Sequence, residues 1–139
     1  MEFNLNIDHL IALVEFVIPF LLGSLLFFTI IIAPTIFSTL DAKNSRNIIR
    51  NIFPKLYTWS IIFSFISFIL VFLIFNINLW SIFSFLILIL YIISRQILMP
   101  KINSLSDKNE QKRFAQYHSL SVTIFIIQVI LLLTVYVNV

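Results

Sequence analysis

The stretch LYTWSIIFSFISFILVFLIF, residues 56–75, contains no charged residue and is long enough to cross a membrane. A transmembrane helix needs about 20 mostly apolar residues to span the hydrocarbon core of a bilayer. Three further stretches meet this requirement, at residues 10–37, 79–99 and 108–137, the last of which begins in water. Because backbone polar groups must be satisfied internally in lipid, each stretch is predicted to be a helix. The sequence therefore predicts an all-α, integral membrane four-helix bundle that forms a single domain over residues 1–139.

The composition of the chain excludes an ordinary soluble domain. Of its 139 residues, 60% are hydrophobic and 11% are charged, whereas soluble domains average about 25% charged residues. The chain has no cysteine and a single glycine. These counts exclude disulfides, thiolate catalysis, cysteine-based metal sites and glycine-rich phosphate loops. The net charge of +3 is small, and we expect no nucleic-acid partner.

The distribution of charge predicts the topology. All nine basic residues lie in or beside two connections, between helices 1 and 2 and between helices 3 and 4. Short loops rich in Lys and Arg stay in the cytoplasm, which predicts that both termini lie outside (N-out, C-out). Residues 1–9 contain Glu2 and Asp8 but no basic residue, unlike the start of a signal peptide, so we expect helix 1 to be retained. These features predict a multi-pass protein of a bacterial inner membrane.

The connection between helices 1 and 2 is predicted to form a short basic amphipathic helix in the cytoplasmic interface. Lys43, Arg46 and Arg50 share one face of this segment, and apolar residues share the other. Pro54 is expected to end it, because proline disrupts a helix interior. Such a helix fits recognition of anionic lipid head groups by Lys43, Arg46 and Arg50. A plain topology anchor explains the same pattern.

Two further signals lie near the connection between helices 3 and 4. Asp107 and Glu110 have the spacing of an acidic capping box, which predicts that helix 4 begins there with its first two turns in water. Arg95 stands one turn before Pro100, close enough to the surface to extend its charged end into water. Arg95 is therefore predicted to be a helix-end anchor or, alternatively, to pair with an acid or a phosphate group at the cytoplasmic mouth.

Only a few polar residues inside the predicted spans are candidates for function. Glu15 lies in helix 1, roughly 8 Å from its start at 1.5 Å per residue, and carboxylates within a membrane suggest function. In helix 4, His118, Ser121 and Gln128 share one face with Phe125. That face is expected to point into the bundle, because lipid offers no hydrogen-bond partners. Gln128 lies near the depth of Glu15, so we expect the two side chains to meet if helices 1 and 4 are neighbours.

The two histidines are candidate ligands for a haem or a metal. His9 lies at the predicted outer end of helix 1 and His118 near the inner end of helix 4, roughly 30 Å apart. They cannot then share one metal within a monomer, although a single histidine can still be an axial haem ligand. A polar residue at the membrane boundary explains each one more simply. We therefore predict no metal site and no cofactor, and keep a haem or metal site as an alternative.

A series of short motifs runs in order along the chain. They are GSLLFF at residues 23–28, APTIF at 33–37, IFP at 52–54, Arg95 with Pro100, HSLSV at 118–122 and finally Gln128. This pattern resembles the transmembrane protein 205-like proteins, a family catalogued as domain of unknown function 4149. The resemblance implies a four-helix membrane fold in an uncharacterised family, and it implies no substrate or reaction.

Three functional classes are compatible with these features. We predict a non-catalytic membrane protein that binds a partner, a lipid or a small solute through the polar face of helix 4. The alternatives are a haem- or metal-binding membrane protein and a transporter of small solutes or cations that uses Glu15. Small multidrug transporters share four helices and a first-helix glutamate, but the one-sided basic charge and the scarcity of glycine and alanine count against that class. A homo-oligomer is compatible with each class.

Overall fold

The computed structural model describes residues 6–139, so Glu2 lies outside the described range. Four helical segments are each long and apolar enough to cross a membrane, and no strand occurs within this range. They are α1 (Ile7–Thr39), α2 (Ala42–Phe75), α3 (Leu79–Asp107) and α4 (Gln111–Tyr136). The predicted all-α, four-helix fold is confirmed. We call the end of the bundle at residues 76–78 the turn end, and the end at residues 40–41 and 108–110 the basic end.

Helices α1 and α3 each contain one π-helical turn shortly before a proline. In α1 the wide turn spans Phe28–Ile32 and precedes Pro34, and in α3 it spans Ser94–Leu98 and precedes Pro100. Proline has no N–H group to donate to the carbonyl four residues earlier. The N–H that follows each wide turn donates instead to the carbonyl five residues back. Both helices therefore continue past their prolines and extend toward the basic end.

The predicted interfacial helix between helices 1 and 2 is not a separate element. Helix α2 runs unbroken for 34 residues with Pro54 inside it, so the prediction that Pro54 ends a helix is wrong. Tertiary contacts hold residues 42–53 in line with the rest of α2. Ser45 is buried and donates to carbonyl oxygens at and just after the end of α1, and Arg50 donates to the end of α3. The segment therefore projects beyond the apolar span.

The capping box predicted before helix 4 is not formed. Helix α4 begins at Gln111, and Glu110 precedes it without a side-chain cap bond. Asp107 closes α3 instead, and its carboxylate accepts a hydrogen bond from Arg50 at 2.6 Å. Glu110 pairs with Arg113 at 3.0 Å. Because arginines take up both carboxylates, the capping prediction is wrong.

Among the described residues, the most extensive helix–helix contact joins α2 and α3. Six buried serines lie along the spans of these two helices: Ser60, Ser64, Ser67, Ser81, Ser84 and Ser94. Small side chains let helix backbones approach closely in a membrane. In these two helices serine, rather than glycine or alanine, is the small residue that allows close packing. The scarcity of those two residues does not count against tight packing of this bundle.

The hydrophobic core lies toward the turn end. Helix α1 contributes the fully buried side chains of Val14, Ile18 and Leu21 to a cluster that also includes Leu132 and Val135 of α4. Every buried residue of α4 lies in its second half. The first half of α4 has only exposed and half-buried residues. The bundle is therefore closed at the turn end and looser at the basic end.

Candidate functional site

An elongated cavity of about 730 Å³ lies at the basic end, with lining residues from all four helices. One face of α2 lines it at successive helical turns, with Arg46, Ile49, Arg50, Phe53, Tyr57 and Ser60. At 1.5 Å per residue, Arg46 and Ser60 lie roughly 21 Å apart along α2. Ligand sites in proteins have volumes of about 300–1,000 Å³. The cavity therefore has the size of a site for a small, elongated molecule.

The deep end of the cavity, toward the core, is apolar with few hydroxyl groups. Leu25 of α1 and Phe125 of α4 line it together with Tyr91 of α3. Tyr91 is 1% exposed, and its hydroxyl has no hydrogen-bond partner among the described residues. Because buried polar groups are normally paired, this hydroxyl is an unsatisfied group enclosed behind the cavity wall.

The mouth of the cavity is basic and polar. Arg46 lines it, is exposed, and forms no ion pair within residues 6–139. Arg50, one turn further along α2, is neutralised because its guanidinium donates to Asp107 at 2.6 Å and to the Asn103 carbonyl at 3.1 Å. His118 also lines the cavity and is exposed. Arg46 is thus the cation at the mouth that is free to meet an anion.

The Arg50–Asp107 pair is expected to contribute little to stability. Its side chains are 29% and 57% exposed, and exposed ion pairs contribute about 0.2–1 kcal/mol. A double-mutant cycle with Arg50→Gln and Asp107→Asn should give a coupling free energy of about 1 kcal/mol or less that falls as salt rises. A much larger coupling that is insensitive to salt would contradict the exposure of the pair.

The residues of the polar face predicted on helix 4 do not all lie at the cavity. His118, Ser121 and Phe125 line the cavity, and Ser121 lies next to Tyr57 of α2. Gln128 lies beyond the lining residues, is 1% exposed, and has an Nε2 without a hydrogen-bond partner within the described range. The structure thus brings three of the four positions to one site. Their part in binding stays a prediction.

Glu15 and Arg95 lie away from the cavity. Glu15 is exposed on α1, and none of the hydrogen bonds among residues 6–139 joins it to Gln128. The predicted pairing of these residues is wrong. Two side chains at the same depth in the membrane meet only if each one points toward the other helix. On α1 the neighbouring Val14 faces the core, so Glu15 is turned away from it. Arg95 donates from Nε to the Thr58 hydroxyl at 3.1 Å.

The two histidines lie at opposite ends of the bundle. His9 is in the first turn of α1 at the turn end, and His118 is in the half of α4 nearer the basic end. Across the part of the chain that is described, no three His, Cys, Asp or Glu side chains gather as a metal site. Ligation of a haem or a metal by His118 or His9 stays the alternative to the predicted absence of a cofactor.

Three residues that line the cavity were not predicted as site residues: Tyr57, Ser60 and Tyr91. Membrane tyrosines concentrate at the lipid–water interfaces. Tyr91 lies 12 residues beyond Leu79 in α3, roughly 18 Å along the helix, and this depth is the signal that distinguishes it. Ser60 begins the spacing Ser60, Ser64, Ser67, which marks one face of α2.

Comparison with known proteins identifies the family pattern over much of the chain. A family model described as Domain of unknown function (DUF4149) matches residues 16–111. No curated protein and no solved structure matches. The matched range contains the cavity-lining residues of α1, α2 and α3, whereas Glu15 and the α4 residues His118, Ser121 and Gln128 lie outside it. The resemblance to domain of unknown function 4149 is confirmed, and its transmembrane protein 205-like part stays a prediction.

Proposed function

Because the chain belongs to the DUF4149 family, whose description gives no activity, we propose its function from the cavity: it binds an amphipathic molecule that has an apolar chain and an anionic head group. The observation that carries this proposal is the change in polarity along the cavity. The deep end is lined by Leu25, Phe125 and the buried Tyr91, and the mouth carries the free guanidinium of Arg46. The proposed activity is binding without catalysis.

The polar mouth of the cavity, rather than its apolar wall, would select the ligand. Lipid tails are as apolar as the cavity wall, so a molecule that leaves the bilayer gains little from burying its chain again. A polar contact in a water-poor site is worth more, because an unpaired buried group is unfavourable. The Arg46 guanidinium at the mouth therefore carries the selectivity in this proposal.

Arg46 is the head-group contact that we favour among the three basic residues predicted for anionic lipids. A guanidinium donates two parallel hydrogen bonds to a carboxylate or a phosphate. Arg50 already holds Asp107, and Lys43 is exposed and does not line the cavity. The predicted contribution of Lys43 and Arg50 is thus replaced, in this proposal, by a single arginine at the mouth.

The route of entry would be lateral, between the end of α1 and the first half of α4. Residues 33–39 of α1 pack against α2, and the first half of α4 has no fully buried residue. The concentration of Lys and Arg at the basic end favours a cytoplasmic position for it. We therefore propose that the ligand enters from the cytoplasmic leaflet of a bacterial inner membrane, with both termini of the protein outside.

A head-group comparison tests this proposal. Binding of a fluorescent single-chain amphiphile with a carboxylate head is measured on the protein in nanodiscs of zwitterionic lipid, beside the same chain with an alcohol head. Arg46→Gln is expected to weaken carboxylate binding about tenfold, because it removes a charge-assisted hydrogen bond worth ~1.4 kcal/mol. Binding of the alcohol should not change. Lys43→Gln removes the same charge outside the cavity and should leave both affinities unchanged.

Two results would overturn the proposal. If neither amphiphile shows saturable binding, the cavity is not a site for such molecules. If Lys43→Gln and Arg46→Gln weaken carboxylate binding equally, the head group responds to the general charge of the basic end and not to the cavity mouth.

A further inference from the structure

A second groove lies on the lipid-facing side of the bundle, between α2 and α3. It has a volume of about 310 Å³ and is lined by Pro54, Lys55, Thr58, Trp59, Ile62 and Arg95. Its α2 positions fall about 180° around the helix from those that line the large cavity, at 100° per residue. The groove and the cavity are therefore separate features on opposite faces of α2.

Two cations in this groove have no carboxylate partner. The ion pairs formed within residues 6–139 are Arg50–Asp107 and Arg113–Glu110, so Lys55 and Arg95 belong to neither. Arg95 is held by its Nε, which donates to the Thr58 hydroxyl at 3.1 Å. Its two terminal amino groups remain for an anion. An oriented guanidinium beside an ammonium group is an arrangement suited to a phosphate.

The depth of the groove matches the level of lipid head groups. Lys55 lies 20 residues before Phe75, the last residue of α2, which corresponds to roughly 30 Å, the thickness of the hydrocarbon core. Lys55 therefore stands at the boundary of the apolar region at the basic end. Trp59, one turn deeper, donates its indole N–H to the Ser24 hydroxyl at 3.2 Å. Tryptophan in this position is typical of the membrane interface.

The exposed wall below the two cations is apolar. Ile62 is 50% exposed, and Trp59 packs its ring against Phe20 and Phe63 with ring centroids 5.7 and 4.4 Å away. This packing fixes the indole as one rigid wall of the groove. A lipid phosphate at Lys55 and Arg95 would place its acyl chain along Trp59 and Ile62. The two cations suit the phosphate of an anionic phospholipid, and the apolar wall suits its acyl chain.

We infer that this groove is a binding site for one anionic phospholipid, whose phosphate is held by Lys55 and Arg95. The inference does not depend on the amphiphile proposed for the large cavity. It differs from that proposal in its residues, in the face of α2 that it uses and in its ligand, which stays in the bilayer with its chains outside the bundle.

Native mass spectrometry of the full chain, released from nanodiscs of mixed phosphatidylglycerol and phosphatidylcholine, tests the inference. The parent protein should retain one phosphatidylglycerol per chain. The double variant Lys55→Gln/Arg95→Gln should lose it, with an affinity at least about tenfold lower. The matched control Lys43→Gln/Lys108→Gln removes the same net charge at the same end of the bundle and should retain the lipid. Loss of lipid in both double variants would overturn the site.

Two further variants test whether lipid retention depends on the geometry of Arg95 and not only on net charge. Arg95→Lys keeps the positive charge but loses the planar set of guanidinium hydrogen-bond donors. It should weaken retention of the lipid about threefold. Thr58→Val frees the Arg95 side chain from its hydrogen bond and should weaken retention to a similar extent. If retention follows net charge alone, so that Arg95→Lys and Thr58→Val match the parent while every charge removal lowers it, the groove does not form a specific site.

Discussion

Ser64→Leu is expected to lower the free energy of unfolding by roughly 1–3 kcal/mol, the range typical of overpacked interiors. Ser64 is 1% exposed and lies between two other buried serines of α2, Ser60 and Ser67. A leucine there has to push α2 away from the helices packed against it or adopt a strained rotamer. The change is measured as the shift of the unfolding transition in mixed micelles of rising dodecyl sulfate fraction, followed by tryptophan fluorescence.

Ser64→Ala separates the size of the side chain from its hydroxyl group. The hydroxyl of Ser64 has no hydrogen-bond partner among residues 6–139, and removing an unpaired buried polar group does not destabilise a protein. Ser64→Ala should therefore leave the free energy of unfolding unchanged or raise it by up to about 1 kcal/mol. If alanine and leucine destabilise the protein equally, a hydrogen bond of this hydroxyl holds the helices together and close packing does not.

The spans were predictable because lipid imposes one dominant requirement on sequence. Residues 56–75 are uncharged and mostly apolar, and a helix satisfies all of their backbone groups within the one segment. The end of α2 and the start of α3 at the turn end also follow from the local sequence. Asn78 accepts a hydrogen bond from the Trp80 N–H at 2.8 Å and so begins α3. Asn76, which ends α2, has a positive φ of 54°, and positive φ is several-fold more frequent at asparagine than at most other non-glycine residues.

The basic end was not predictable from local rules, because tertiary contacts override them there. Pro54 is a local signal for a helix end, yet the buried Ser45 and the Arg50 contacts keep α2 continuous through it. Asp107 is a local signal for a helix start, yet Arg50 binds its carboxylate at the end of α3. In both cases a contact of Arg50 with α3 contributes, and it joins residues that are 53 or 57 positions apart in the sequence, farther than any local window reaches.

The large cavity also depends on contacts between helices that the local sequence does not predict. It exists because α4 packs tightly around Leu132 and Val135 but loosely before Gln128, while serines draw α2 and α3 together. Neither property belongs to a single segment. The spacing of His118, Ser121 and Phe125 indicated one face of α4 and correctly grouped residues that line one site. The same reasoning failed for Glu15, whose depth was known but whose rotation on α1 was not.

Ser121→Trp is expected to weaken binding of the carboxylate amphiphile about tenfold or more, equivalent to ~1.4 kcal/mol. Ser121 lines the cavity beside Tyr57, so an indole ring at this position occupies space that the ligand chain needs. The first half of α4 has no fully buried residue, and we expect it to accept the larger side chain without loss of the core. The measurement is the same titration in nanodiscs, with the unfolding transition as a check on the fold.

Thr123→Trp is the matched control, because Thr123 is exposed on α4 two residues further on and does not line the cavity. It adds the same ring to the same helix, and amphiphile binding should stay at the level of the parent. Equal loss in both variants would show that the ring perturbs α4 as a whole and that the cavity is not the site. Retention of phosphatidylglycerol should survive both changes, because Lys55 and Arg95 lie on the other side of α2. Lost amphiphile binding with retained phospholipid would therefore assign the two ligands to two separate sites.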